Sequence, residues 1–141
     1  MLFKKLKLRF AKKHEAKKIS KLFSSFGSPI DRKKVEDMVA DKKIVVLREK
    51  GKLRGAFWYL KLGISGLLSI LYIRKLAVPH KFRKKGIGSF LLGRIQDFTK
   101  KRGHSGFLLR AIPSAKSFYE KHKLKHLFAR FFWWRKKEDK V

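Results

Sequence analysis

The chain has 141 residues, 39 of them Lys or Arg against 10 Asp or Glu, for a formal net charge of +29. That length suits one domain with one core. The absence of cysteine excludes disulfides, a thiol nucleophile and a thiolate metal site, and the five histidines show neither the HxH nor the HExxH spacing of zinc sites, so no metal is expected.

Such a charge attracts nucleic acid or acidic membrane without specificity. Lysine is spread over the whole chain rather than gathered on one segment, and a uniformly basic proteome gives the same pattern. No Asp or Glu occurs between Lys50 and Gln96. The N-terminal residues alternate apolar and basic and lack the continuous apolar core of a signal peptide. The longest low-charge stretch, residues 62–73, has 12 residues and is too short to span a bilayer. A cytoplasmic protein, monomer or dimer, is expected.

In chain order, residues 5–10 (KLKLRF) alternate like a half-buried strand. Residues 14–26 follow as a helix with Ala16, Ile19, Leu22, Phe23 and Phe26 on one face, and Gly27 ends it. Ser28, Pro29 and Asp31 predict a capping box opening a second helix to about Ala40 that buries Val35, Met38 and Val39. Residues 43–48 (KIVVLR) read as a strand, and Glu49-Lys50-Gly51-Lys52 as a hairpin turn. Strands are predicted at 53–62, with Gly55 early in it, and at 67–78, whose apolar run suggests cover on both faces. Pro79 stops that strand. A helix over 86–102, closed by Gly103, points Ile87, Phe90, Leu91, Ile95 and Phe98 inward. A strand at 105–112, a short helix capped by Ser114 and an aromatic strand at 124–134 complete the order β-α-α-β-β-β-α-β-α-β. One domain is expected over residues 1–135, with a solvated tail at 136–141.

The stretch from Leu76 to Leu92, LAVPHKFRKKGIGSFLL, is the most informative. It passes from a strand end through a basic turn into a helix by way of Arg83-x-x-Gly86-x-Gly88. Glycine tolerates φ > 0 and lets several N–H groups converge. The first amides of a helix have no intrahelical partners and sit at the positive end of its dipole. Arg83, Lys84 and Lys85 add formal charge, so the expected guest is a pyrophosphate. GxGxxG needs a third glycine at position 91, which is Leu, and GxxxxGK[ST] is absent.

Leu76-Ala77-Val78-Pro79, followed by Arg83-x-x-Gly86-x-Gly88, resembles the [RQ]-x-x-G-x-[GA] signature of the GNAT N-acetyltransferases. Residues 112–124, IPSAKSFYEKHKL, resemble the family's second motif, N-x-x-A-x-x-[FL]-Y-x-x-x-G-F. Two motifs at this separation are more specific than either alone, and the element order agrees along the whole chain. The chain is most similar to the short members that modify ribosomal proteins and protein N-termini. The resemblance implies an α/β (α+β) fold whose mixed central sheet is splayed around the coenzyme, with helices on both faces. It implies acetyl-CoA as cosubstrate. The pantetheine arm would pair with Leu76, Ala77 and Val78, and the pyrophosphate would lie on the amides of Lys84, Lys85, Gly86, Ile87, Gly88 and Ser89, beside Arg83. Tyr119 matches the tyrosine that protonates the departing sulfur in many members, and a phenol near pKa 10 is a reasonable acid for a thiolate; the other reading is a core aromatic on an amphipathic helix, where Phe118 beside it already supplies one.

The chain departs from the family where many members place a glutamate before the cradle. Residues 71–75 read LYIRK. Tyr72 lines the neighbourhood, His80 and His104 read as plain surface histidines, and Glu15 and Asp41 come near only through folding, so no base is assigned. Ile112 replaces the second motif's Asn, and Lys123-Leu124 its Gly-Phe. The expected acceptor is a protein amine, at an N-terminus or a lysine. Aminoacyl-tRNA is the alternative, and tRNA contact through the basic surface fits the charge. A different class of reading is a nucleic-acid-binding module without catalysis, with Phe128, Phe131, Phe132, Trp133 and Trp134 interleaved with Arg130 and Arg135. Against it, alternation along a strand would bury half of these aromatics in a core.

Overall fold

The computed structural model describes residues 6–25, 30–64, 68–78, 86–110, 116–121, 124–126 and 131–135. Its strands hydrogen-bond in the order β1-β2-β3-β4-β5-β7-β6. The chain forms two compact units, one of Met1–Tyr59 with Lys75–Leu91, the other of Leu60–Arg74 with Leu92–Val141. Strands β3 (Lys52–Ile64) and β4 (Leu68–Ala77) each contribute residues to both.

The first unit begins with β1 (Leu6–Phe10), a 3-10 turn (Lys13–Glu15) and α1 (Ala16–Ser24). Ala16, Ile19, Leu22 and Phe23 are buried, as their helical spacing requires. Helix α2 (Arg32–Ala40) buries Val35, Met38 and Val39. Its cap differs from the expected box. Asp31 itself is the N-cap, extended at φ −66° and ψ 141°, and its carboxylate accepts from the Lys33 N–H at 2.9 Å. A short carboxylate satisfies an orphan amide directly, without a glutamate-type partner. Ser28 and Pro29 lie outside the described residues, as do Phe26 and Gly27.

Strand β2 (Ile44–Glu49) pairs antiparallel with both β1 and β3. Ile44, Val45, Val46 and Leu47 are all buried, so this strand is covered on both faces. The face carrying Ile44, Val46, Ala56 and Trp58 shares a core with α1 and α2. The other face meets α3 (Ile87–Lys101), whose Leu91 lies against Gly55. Helices therefore lie on both faces, as expected. The β2–β3 turn is the predicted hairpin: Lys50 at φ 48° and Gly51 at φ 77° are both left-handed, the backbone of a type I′ turn.

In the second unit, β4 runs parallel to β5 (Gly106–Arg110), and β5 runs antiparallel to β7 (Phe131–Arg135). The sheet is therefore mixed. The β4–β5 register ends at Ile73↔Leu109, four residues before β4 itself ends at Ala77. The expected single strand at 124–134 is instead two, β6 (Lys125–His126) and β7, paired antiparallel through Lys125↔Trp133. The sequence hides this reversal because 127–130, LFAR, contains none of the usual turn residues. Helix α4 (Lys116–Lys121) precedes it. Gly103, at φ 76°, closes α3 as predicted.

Candidate functional site

In the first unit, β4 ends at Ala77, and Ala77 and Val78 are buried while Leu76 is half-buried. These are the residues expected along the pantetheine arm. The chain enters α3 at Gly86, which is exposed and has φ 78°. A side chain there would be strained by contact of its Cβ with the backbone, at about 1–2 kcal/mol. The first intrahelical bond runs from the Phe90 N–H to the Gly86 carbonyl at 3.1 Å. The helical turn before it holds Ile87, Gly88 and Ser89. Ile87 is buried and anchors the turn, while Gly88 and Ser89 remain half-buried. No acid occupies the first turn of α3, so no side chain of that turn neutralises the positive end of its dipole, and Lys100 and Lys101 complement the other end. This backbone fits a phosphate group. Arg83, Lys84 and Lys85 lie outside the described residues, as does His80.

Gly55 is a part of this arrangement that the sequence showed only as a glycine within a strand. A Cβ at Gly55 would lie 3.0 Å from Leu91 Cδ2 and 3.3 Å from the Ala77 carbonyl oxygen. The glycine thus lets β3 approach both the end of β4 and the first turns of α3, fixing the strand end and the helix start together.

In the second unit, Tyr119 lies on α4, 9% exposed, with its ring tilted 43° against Phe132 at a centroid distance of 5.4 Å. Its carbonyl accepts from the Leu124 N–H at 3.1 Å. Burial pushes the phenol up to about 12. It stays protonated across the working range and is a weaker acid than a free phenol. Phe132 is buried, whereas Phe131, Trp133 and Trp134 are half-buried, so alternation on β7 buries only part of its aromatics. Phe128 and Arg130 lie outside the described residues, as do Ile112, Pro113, Ser114, Ala115, His122 and Lys123 of the second motif.

Two base candidates take other roles. His104 is not a surface histidine: it is 7% exposed, and its Nδ1 lies 2.6 Å from Ser69 Oγ. Burial, then the charges of Lys61 and Arg102, lower its pKa. Helix α3 ends beneath it, and the His104 N–H donates to the Thr99 carbonyl at 3.1 Å. Glu15 is 2% exposed. It accepts from Arg9 at 2.7 Å, from the Lys12 N–H at 2.9 Å and from Arg48. Burial alone would raise its pKa, but the hydrogen bonds from Arg9 and Lys12 and the charges of Arg9 and Arg48 outweigh it, so the carboxyl sits below its ordinary value. A carboxylate so committed is a poor proton acceptor. Asp41 is exposed at the C-terminus of α2.

A family model, the acetyltransferase (GNAT) domain, matches residues 10–124. The chain belongs to the GNAT acetyltransferase family and is an acetyl-CoA-dependent N-acetyltransferase. Among solved structures, Ard1 from Thermoplasma volcanium is 16% identical with a TM-score of 0.79, covering 95% of this chain and 99% of that one. Naa50 from Arabidopsis thaliana, in complex with the bisubstrate analogue CoA-Ac-MVNAL, is 18% identical with a TM-score of 0.70, covering 92% and 95%. An aminoglycoside acetyltransferase from an uncultured soil metagenomic sample is 19% identical with a TM-score of 0.70, covering 92% and 98%. At these identities the likeness is one of fold. No curated protein matches the sequence significantly. Among the described residues, no helix is long and apolar enough to cross a membrane.

Proposed function

We propose that the protein transfers the acetyl group of acetyl-CoA to a primary amine of a protein, at an N-terminus or a lysine side chain. The observation that carries this reading is the entry to α3, with Gly86 at φ 78° opening a helix whose first turn holds no acid, just beyond the buried strand end at Ala77 and Val78. Ile87, Gly88 and Ser89 would offer amides to the pyrophosphate, with Arg83, Lys84 and Lys85 supplying charge. Leu76, Ala77 and Val78 would pair with the pantetheine arm through backbone groups, because β4 continues past the last residue in register with β5. Bound acetyl-CoA supplies an activated thioester carbonyl. The amine nitrogen gains the acetyl group and loses one proton, and the sulfur leaves as a thiol.

Tyr119 would serve that departure. With its phenol at about 12 it is protonated and would hand its proton to the leaving sulfur, the proton that the amine releases restoring it. Glu15 is held by two arginines, so the amine proton is not assigned to it. Cationic surroundings favour the neutral amine. The span from Lys50 to Gln96 contains no acid. Like charge there works against a polycationic acceptor such as an aminoglycoside and suits an acidic peptide segment. Naa50's complex with a peptide-bearing analogue supports the same acceptor class.

Acetyl-CoA at about 100 times its dissociation constant should stabilise the protein by about 2.7 kcal/mol, a rise in Tm of several degrees. Gly86→Glu should abolish that rise while circular dichroism stays native, and Tyr119→Phe should lower kcat by about a hundredfold with less change in KM. Acetylated protein products from a lysate, identified by mass spectrometry, would name the acceptor. No thiol release and no stabilisation would overturn the proposal.

A further inference from the structure

Acetyl-CoA read onto this chain spans two pieces of backbone in the first unit, the strand end at 76–78 and the helix start at 86–89. Gly55 of β3 stands against both. Its place is set by a break in the β2–β3 register. Arg48 pairs with Leu53 but Leu47 pairs with Gly55, so Arg54 is the extra residue of a β-bulge. Leu53 therefore packs on the same core as Ala56, three residues along, a spacing that unbroken alternation does not allow. Arg54 pairs with Glu49 at 3.1 Å, which ties the bulge to β2. Gly55 is left on the opposite face, towards α3.

On that face a Cβ at position 55 would lie 3.0 Å from Leu91 Cδ2, 3.3 Å from the Ala77 carbonyl oxygen and 3.7 Å from Val78 Cγ2. The last is ordinary contact. For the first two, the neighbour must give by a few tenths of an ångström. Leu91 is fully buried, so its side chain has no free space to swing into. It stands one helical turn after Ile87, the buried anchor of the turn that holds Gly88 and Ser89. The Ala77 carbonyl is strand backbone and moves only with the strand. A methyl at 55 thus presses on the helix start and the strand end along two different lines, and changes the distance between them.

We propose that Gly55 is a positioning residue for acetyl-CoA. Having no side chain, it makes β3 a common backing for the two pieces, so that the amides at 86–89 and the strand end at 76–78 stand at the separation that one coenzyme molecule spans. The proposal rests on the reading of those residues as the coenzyme site. A ligand held at two points gains affinity from the fixed relation between them, beyond the contacts made at each. Gly55 acts on that relation and on neither set of contacts.

The test is titration calorimetry of the full chain with CoA and with 3′-phosphoadenosine 5′-diphosphate, the half of CoA that carries the pyrophosphate without the pantetheine arm. Gly55→Ala should weaken CoA by about tenfold and the half-ligand by less than about twofold, because each piece keeps its own contacts and only their relation is lost. Ala56→Val overpacks the next residue, which is fully buried but faces α1 and α2. It should lower Tm at least as far as Gly55→Ala does and leave both affinities unchanged. Should Gly55→Ala fail to fold, Gly55→Ala/Leu91→Val takes its place. That pair removes the Cδ2 atom met at 3.0 Å and keeps the contact with the Ala77 carbonyl, so the same difference between the two ligands is expected. Undiminished CoA binding, equal loss for CoA and the half-ligand, or the same loss in Ala56→Val would each overturn the proposal. Failure of the wild type to bind CoA would instead overturn the coenzyme reading, and the proposal with it.

Discussion

Among the described residues, each unit buries one carboxyl or imidazole group, and the two are handled in opposite ways. Glu15 in the first unit is buried as an anion, with Arg9 and Arg48 gathered on its two oxygens. His104 in the second is buried as a neutral ring, facing Ser69 with Lys61 and Arg102 contributing repulsive charge. In a chain with 39 basic and 10 acidic side chains, a buried carboxylate readily finds cations. Desolvation works against the charged form of both groups: at Glu15 the arginines and the Lys12 N–H outweigh it, whereas at His104 the charges of Lys61 and Arg102 act in the same direction as burial.

The largest expected effect comes from removing the anion. Glu15→Gln keeps the shape but leaves Arg9 and Arg48 without their partner. Loss of one member of a fully buried pair costs about 3–5 kcal/mol. The Arg9 and Arg48 side chains are 34% and 18% exposed, so water recovers part of that loss. About 2–3 kcal/mol is expected, a fall in Tm of roughly 6–10 °C, measurable by calorimetry at pH 7. A change below 1 °C would mean that the cluster adds nothing and that the contrast with His104 has no energetic content.

A second, smaller effect is a pH window. The folded pKa of Glu15 is depressed below 4.5. Its stabilisation is therefore fully present above 4.5 and is lost as pH falls through the folded value. Urea unfolding between pH 5 and 2 should show the wild type losing stability where Glu15→Gln shows a shallower slope. Parallel slopes would place the acid sensitivity elsewhere.

These contrasts were only partly legible in the sequence. The strand–turn–helix around Gly86 could be read because apolar periodicity changes at a glycine pair, a local signal. Burial of Val35, Met38 and Val39 followed from spacing alone. Glu15 was not legible, because Arg48 stands 33 residues away and pairing across that distance leaves no pattern. Gly55 showed as a strand glycine, but its closeness to Leu91 and Ala77 exists only once β3, β4 and α3 are assembled. The β6–β7 reversal had no turn residue to announce it. Tyr119 could be placed by motif, while its raised pKa comes from burial that includes Phe132, on a strand further along the chain. His104, amid Arg102, Gly103 and Ser105, reads locally as surface; Ser69, which it faces, is 35 residues away.

The smallest effect lies with that histidine. Its folded pKa is lowered from an ordinary 6.5. Below pH 6.5 the unfolded chain takes up a proton that the folded chain does not, so stability is full above 6.5 and declines as pH falls towards the folded value. The decline cannot exceed about 1.4 kcal/mol per pH unit, since one proton is involved. His104→Asn retains a polar group near the Nδ1 position for Ser69 and removes the titration. Stability measured from pH 7.5 to 5.5 should slope in the wild type and flatten in this variant, while Glu15→Gln keeps the slope. If His104→Asn slopes as the wild type does, His104 is not the group that titrates there. If Glu15→Gln flattens the same window, the two buried groups do not act in separate pH ranges, and the contrast between the units fails.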